Sequence, residues 1–122
     1  MIPGKKGTAR TIVTEKNTAK AVGSGSLEVF ATPMMIALME EAACNCLAEM
    51  LEPGQSSVGT QVQVNHSAPS KLGAAVTATA IINEVDRRSV SFTVTASDDK
   101  GEIGSGKHTR FIVDVEKFMQ KM

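Results

Sequence analysis

The sequence predicts an α+β fold in which a five-stranded antiparallel sheet wraps one long central helix, with a second copy of the chain packing its helix back to back against the first. Three observations carry this. Residues 30–51, FATPMMIALMEEAACNCLAEML, form the one segment long enough for a helix of several turns, and it is apolar on nearly every side. The chain after it alternates with period two and is broken by short turns, the pattern of hairpin-linked antiparallel strands. One sheet covers only one side of a helix, so a helix apolar all round needs a second cover.

The elements follow in order. TARTIVT, residues 8–14, alternates weakly and reads as a first strand. Residues 15–31 hold no period and contain GSGS at 23–26, so they read as a mobile loop or lid segment. Thr32 is a good N-cap and Pro33 suits the first helical position; Pro53-Gly54 turns the chain after the helix. Strands are expected over 57–66, 74–85, 88–97 and 102–115, with DRR making a hairpin and DDKG a turn. Gly104 and Gly106 mark a bulge or a close backbone approach. In the 57–66 strand, alternation puts Val58, Thr60, Val62, Val64 and His66 on the face toward the helix. Ser57, Gly59, Gln61, Gln63 and Asn65 take the other face.

Composition narrows the classes. A chain of 122 residues is expected to be one domain, 1–122. Thirteen basic and thirteen acidic residues cancel, with no basic run, which argues against a nucleic-acid partner. The N-terminus lacks a signal-like apolar core. The greasy stretch is interrupted by Glu40, Glu41, Asn45 and Glu49, which argues against a membrane span. Cys44 and Cys46 stand two apart on a helix and point to nearly opposite sides, so they neither bridge nor share a metal; both read as core thiols of a reducing, cytoplasmic compartment. There is no Trp or Tyr, and seven Met fill an aliphatic core.

Two carboxylates in the middle of the greasy helix need an explanation. Neither Glu40 nor Glu41 has a Lys or Arg three or four residues away, and a buried unpaired carboxylate costs several kcal/mol. His66 faces the helix by parity. An inward His and an inward Glu on facing elements satisfy each other and tune each other's pKa. His108 and Arg110 share a strand face, either a solvated edge or part of a pocket. Lys71, Arg87, Arg88 and Lys107 are cations able to meet phosphate.

A helix wrapped in a sheet and covered by a second copy is the hotdog architecture. From Phe30 to about Phe118 the chain resembles the fluoroacetyl-CoA thioesterase type of hotdog acyl-CoA thioesterase. FATPMMIALMEEAAC, LEPGQSSVGTQVQVNHSAP, NEVDRRSVSF and EIGSGKHTRFIVDVEKF carry the resemblance. It implies a catalytic set of Thr32, Glu40 and His66, with Gly59 and Arg110 at the substrate. It also implies no metal and no separate cofactor, since coenzyme A arrives as part of the acyl-CoA substrate. The phenylalanine lid of that family falls at Gly23 and Ser26 here, and a tryptophan of its helix falls at Ala42. The resemblance therefore implies thioester hydrolysis of a short acyl group without fluoroacetyl selectivity. A non-catalytic hotdog module that binds acyl-CoA or a small ligand is the alternative, and a hotdog hydratase a weaker one.

The chemistry fits these residue types. Glu40 is a base or a nucleophile, His66 protonates the leaving thiolate or orients water, and Thr32 bonds the carboxylate or attacks. Thr32 and Glu40 stand eight residues apart, about 12 Å along a straight helix. Either residues 32–35 fold back, or Thr32 of one chain meets Glu40 of the other in a homodimer.

Overall fold

The computed structural model describes all 122 residues. Strand β1 spans Lys6–Ile12, a single helical turn α1 spans Ala19–Val22, and the central helix α2 spans Thr32–Leu47. Strands β2 (Gln55–His66), β3 (Ala75–Asp86), β4 (Ser89–Asp98) and β5 (Gly101–Asp114) follow, and helix α3 (Val115–Gln120) ends the chain. The sheet order is β1-β3-β4-β5-β2, with every neighbouring pair antiparallel. This is the hotdog arrangement expected from the sequence. No helix is long and apolar enough to cross a membrane.

The core forms where α2 meets the concave side of the sheet. Met35, Leu38, Met39, Ala42, Ala43, Cys46 and Leu47 are its buried face. Against them β3 presents Val76, Ala78, Ala80 and Ile82, and β4 presents Val90, Phe92, Val94 and Ala96. Burying a side chain the size of Leu or Phe stabilises by roughly 1.5–3 kcal/mol. The alternation that marked these strands is realised residue by residue. On the other side of α2, Pro33, Ala37, Glu41, Cys44, Asn45 and Ala48 remain exposed. Cys46 is the core thiol, its Sγ 3.5 Å from the Lys5 carbonyl, and burial pushes its pKa up. Cys44, expected in the core as well, lies on the exposed face.

Several boundaries depart from expectation. The helix ends at Leu47 rather than 51, and the short helices α1 and α3 were not signalled by period. Residues 15–31, read as an irregular loop, are organised. Thr18 caps α1 by accepting from the Ala21 N–H, Gly23 ends it at φ 78°, and isolated bridges pair Thr18 with Phe30 and Val29 with Lys71. Gly104 and Gly106 both sit at close approaches, and Gly104 also borders a register shift of β5 against β4, where Ile103 is the extra residue. A Cβ on Gly104 would lie 2.6 Å from the Met35 sulfur, and one on Gly106 2.6 Å from the Val64 Cα.

A second irregularity lies in β3 between Ile82 and Glu84, and the one that shapes the site lies in β2, between Gly59 and Gln61. It leaves Thr60 out of register and reverses the parity of everything before it. Ser57 pairs with Ile112 and Gly59 with Arg110, both on the inner face, whereas Val58 pairs with the exposed Phe111. After the bulge Val62, Val64 and His66 face inward as expected, opposite His108, Gly106 and Gly104. Gly59 and His66, assigned to opposite faces from period two, thus share one.

Gly7 of β1 sets how closely sheet and helix approach: a Cβ there would run into the Ala42 carbonyl and lie 2.7 Å from the Cys46 Cα. Gly7→Val is expected to force β1 from α2 and cost about 1–3 kcal/mol as an overpacked core site. Urea unfolding measures this, and an unchanged midpoint would mean that β1 retreats without loss.

Candidate active site

The start of α2 builds the first half of the site. Ala31 is the N-cap, so Thr32 is already helical and its side chain makes no cap. The Ala31 carbonyl takes the N–H groups of Met34 at 3.0 Å and Met35 at 2.9 Å, and Pro33 has none to give. The Thr32 N–H is the one donor left free at this end. The Thr32 hydroxyl, expected to cap the helix, instead lies 2.7 Å from His66 Nδ1 at the end of β2. The other ring nitrogen, Nε2, is buried and has no partner within the chain. Burial holds the His66 pKa below its ordinary value, and the Ala68 backbone offsets this only in part. Thr32 and His66 line a cavity of about 290 Å³ with Val29, Phe30, Ala68 and Pro69.

The second half is a charge cluster around Arg110. The guanidinium donates from Nε to Ser57 Oγ at 2.9 Å, from Nη2 to the Ser57 carbonyl at 3.0 Å, and from Nη1 to Glu40 Oε2 at 3.0 Å. Glu40 is therefore paired, by a residue far along the chain that no helical spacing reveals. His108 stands behind this pair. Its Nδ1 lies 2.8 Å from the Gln61 carbonyl, which only accepts, so Nδ1 carries the proton. Its Nε2 then accepts from Arg110 Nη1 at 3.2 Å. Burial lowers the His108 pKa and so does Arg110; the Gln61 carbonyl and Glu40 oppose them. The ring is neutral, and its 3.8 Å approach to Glu40 Oε2 is not an ion pair. Gly59 lets the carboxylate in, since a Cβ there would lie 2.5 Å from Glu40 Oε2.

The two halves do not meet in one chain. Helix α2 starts at Thr32, so no fold-back shortens the eight-residue gap of about 12 Å to Glu40. Glu40 touches β2 at Gly59, and His66 lies seven residues further along that strand, roughly 20 Å away. The expected pairing of Glu40 with His66 is absent within the chain: His66 bonds Thr32, and Glu40 bonds Arg110.

Comparison with known proteins bears on this arrangement. A family model described as fluoroacetyl-CoA-specific thioesterase matches residues 13–116. The chain belongs to that family. It is 45% identical over 95 residues to a fluoroacetyl-CoA thioesterase of Streptantibioticus cattleyicolor, covering 78% of this chain and 68% of the relative. A single-site variant of a fluoroacetyl-CoA-specific thioesterase, solved with fluoroacetate and CoA, superposes with a TM-score of 0.91 at 38% identity over 97% of this chain and 99% of that one. A hot-dog-like protein from Thermanaerovibrio acidaminovorans superposes at 0.88, with 26% identity over 98% and 88% of the two chains.

Within this family fold, the five candidate residues fall into two groups: Thr32 with His66, and Glu40 with Gly59 and Arg110. Arg110 and His108 are buried, at 6% and 2% exposure, and so are not a solvated edge. Ser57 escaped sequence reasoning because the bulge reverses its face. Ala42 is fully buried in the core and does not line the cavity. Arg88 is committed to Asp114 at 3.3 Å and Lys107 to Thr93 at 3.1 Å.

The neutral His108 has a consequence for stability. Its folded pKa is lowered from 6.5, so below pH 6.5 the unfolded chain takes up a proton that the folded chain refuses. This contribution is complete above pH 6.5 and is lost as pH falls through the folded value. Unfolding free energy is expected to decline from pH 7.5 to 5, and His108→Gln is expected to flatten that decline. Urea titrations at a series of pH values measure it; equal slopes in both proteins would mean that the folded chain protonates His108 as readily as the unfolded one.

Proposed function

We propose that the protein hydrolyses short-chain acyl-CoA thioesters at a site completed by a homodimer. The observation that carries this is the buried, unpartnered Nε2 of His66, beside a Thr32 hydroxyl held at 2.7 Å by the same ring. A buried ring nitrogen without a partner is costly, and a carboxylate is the partner a neutral Nε2–H needs. The chain's own Glu40 is out of reach; the partner subunit's Glu40 supplies it.

Dimerisation is supported by two surfaces. β2 is a twelve-residue edge strand, QSSVGTQVQVNH, with no charge and no proline to protect it. The opposite edge, β1, is shorter and carries Lys6 and Arg10. The open face of α2 carries Pro33, Ala37, Cys44 and Ala48 beside its polar residues. Antiparallel pairing of β2 with its copy carries the His66 end of one strand toward the partner subunit's Gly59 and the carboxylate beside it.

The chemistry then divides among the residues. The thioester carbonyl sits against the Thr32 N–H, which serves as oxyanion donor. Glu40 attacks the carbonyl or takes a proton from the attacking water. When Glu40 takes the proton of the attacking water, His66, neutral because it is buried, passes one proton to the departing thiolate and regains one from the Glu40 carboxyl. When Glu40 itself attacks, the C–S bond breaks as the anhydride forms, and the water that later hydrolyses the anhydride supplies the proton. Arg110 orients Glu40. The cavity of about 290 Å³ lies at the low end of ligand pockets and favours a short acyl group. Gly23 ends α1 and Ser26 follows it, so neither of these two positions brings an aromatic side chain over the acyl group, and Phe30 is the aromatic residue that lines the cavity.

Free-thiol release across a panel of acyl-CoAs tests the activity; a folded dimer that binds acyl-CoA and releases no thiol would be the non-catalytic module. Glu40→Gln is expected to lower kcat by at least about a hundredfold, the scale of general-base loss. Glu41→Gln, on the exposed side, should change it only a few-fold. Mixing Glu40→Gln protein with His66→Ala protein should recover activity through heterodimers that carry one intact composite site. No recovery on subunit exchange would put both residues of a site in one chain.

Fluoroacetyl-CoA should not be preferred over acetyl-CoA by as much as about a hundredfold in kcat/KM, which corresponds to about 2.7 kcal/mol. Competition between the two substrates measures this, and a larger preference would assign the selectivity to residues other than an aromatic lid.

A further inference from the structure

We propose that His108 and Ser57 are positioning residues that lock the Arg110 guanidinium so that it holds Oε2 of Glu40 and leaves Oε1 to the substrate. The inference rests on the reading of Glu40 as the working carboxylate and adds how that carboxylate is aimed. Neither His108 nor Ser57 touches the acyl cavity.

Four hydrogen bonds hold the cation, with at least one at each of its three nitrogens. A guanidinium has five N–H donors in a rigid plane, and a buried one loses stability for each left unpaired. Here Nε and Nη2 are taken by the two oxygens of Ser57, and Nη1 is shared between Glu40 Oε2 and His108 Nε2. The acceptors come from three elements, β2, α2 and β5 itself, so the plane of Arg110 cannot rotate without breaking a bond to one of them. The carboxylate is fixed through one oxygen only. Oε1 makes no hydrogen bond within the chain, and the Glu40 side chain remains 38% exposed.

His108 plays this part only as one tautomer. With the proton on Nδ1, Nε2 offers a lone pair to Arg110; with the proton on Nε2, or on both nitrogens, it would set N–H against N–H. The choice is made by the Gln61 carbonyl at the β2 bulge, 2.8 Å from Nδ1. Phe92 stacks on the ring at 6.1 Å and 25° and limits its tilt. The charged groups facing His108 are Arg110 on its own strand and Glu40 on α2. A single bulge thus does three things: it turns Ser57 inward, opposes Gly59 to the carboxylate, and aims the carbonyl that sets the imidazole.

Two pairs of variants test this. His108→Met removes the acceptor at similar bulk, and His108→Gln retains an acceptor for Nη1. The Met variant is expected to lose about ten- to a hundredfold in kcat, the scale of a misplaced catalytic group, with KM changed less than about threefold. The Gln variant should recover most of the loss. Ser57→Ala should lower kcat several-fold and Ser57→Thr restore it, which keeps the test open if His108→Met does not fold. Nitrogen-15 NMR of the wild type should show His108 neutral with the proton on Nδ1. The Arg110 Nε–H should exchange slowly in the wild type and in His108→Gln, and rapidly in His108→Met. A proton on Nε2, full kcat in a folded Met variant, or equal losses in Met and Gln would overturn the proposal. If the wild type releases no thiol, the functional reading fails, and the NMR signals alone decide the positioning.

Discussion

A central helix that its own sheet wraps on one side only is the constraint from which the rest of the molecule follows. One face of α2 sinks into the sheet on Met35, Leu38, Met39, Ala42, Ala43, Cys46 and Leu47. The other stays open, and near this open side lie the Thr32 hydroxyl and the half-exposed Glu40 carboxylate. Beside them runs β2, an edge strand without a charge along its length. A monomer would leave Pro33, Ala37, Cys44 and Ala48 of the helix and a free, uncharged sheet edge to water together.

The Arg110 cluster shows how the fold tolerates charge so near its core. A guanidinium at 6% exposure is expensive unless every donor is satisfied and an anion is near. Ser57 gives two acceptors, Glu40 the anion and His108 a neutral lone pair. Burial keeps His108 uncharged, which suits an imidazole placed against an arginine. The opposing pulls on its pKa come from the same groups it bonds, so proton and geometry are set together.

Much of this was legible in the sequence, and the losses have physical causes. Strand alternation after residue 55 gave the sheet because these strands bury one face only, which keeps period two clean. The inward direction of His66 was readable because no irregularity separates it from Val62 and Val64. Ser57, Val58 and Gly59 were misplaced because one extra residue, Thr60, reverses parity; Gly59 is the only sign of it in SVGTQ, and a strand glycine equally marks a close approach, which it also makes here. Thr32 was read as a cap because its type and the following Pro favour one; the histidine that claims its hydroxyl stands 34 residues away. The Glu40 partner is 70 residues away, out of reach of any helical spacing rule. The short helices α1 and α3 hold too few turns to show a period.

The cavity beside Thr32 and the Arg110 cluster draw on disjoint sets of residues. The cavity is walled by residues from the stretches 19–32 and 66–69, while the cluster uses 40, 57, 59, 61, 108 and 110. Sequence drift in the first set reshapes what fits without disturbing the charge balance of the second. A lineage can therefore change what fits by altering a loop, while the part that is hard to rebuild, a buried cation held at all three of its nitrogens, is inherited whole. In such a fold, novelty collects in the loop and its flanking turns, and the sheet acts as ballast.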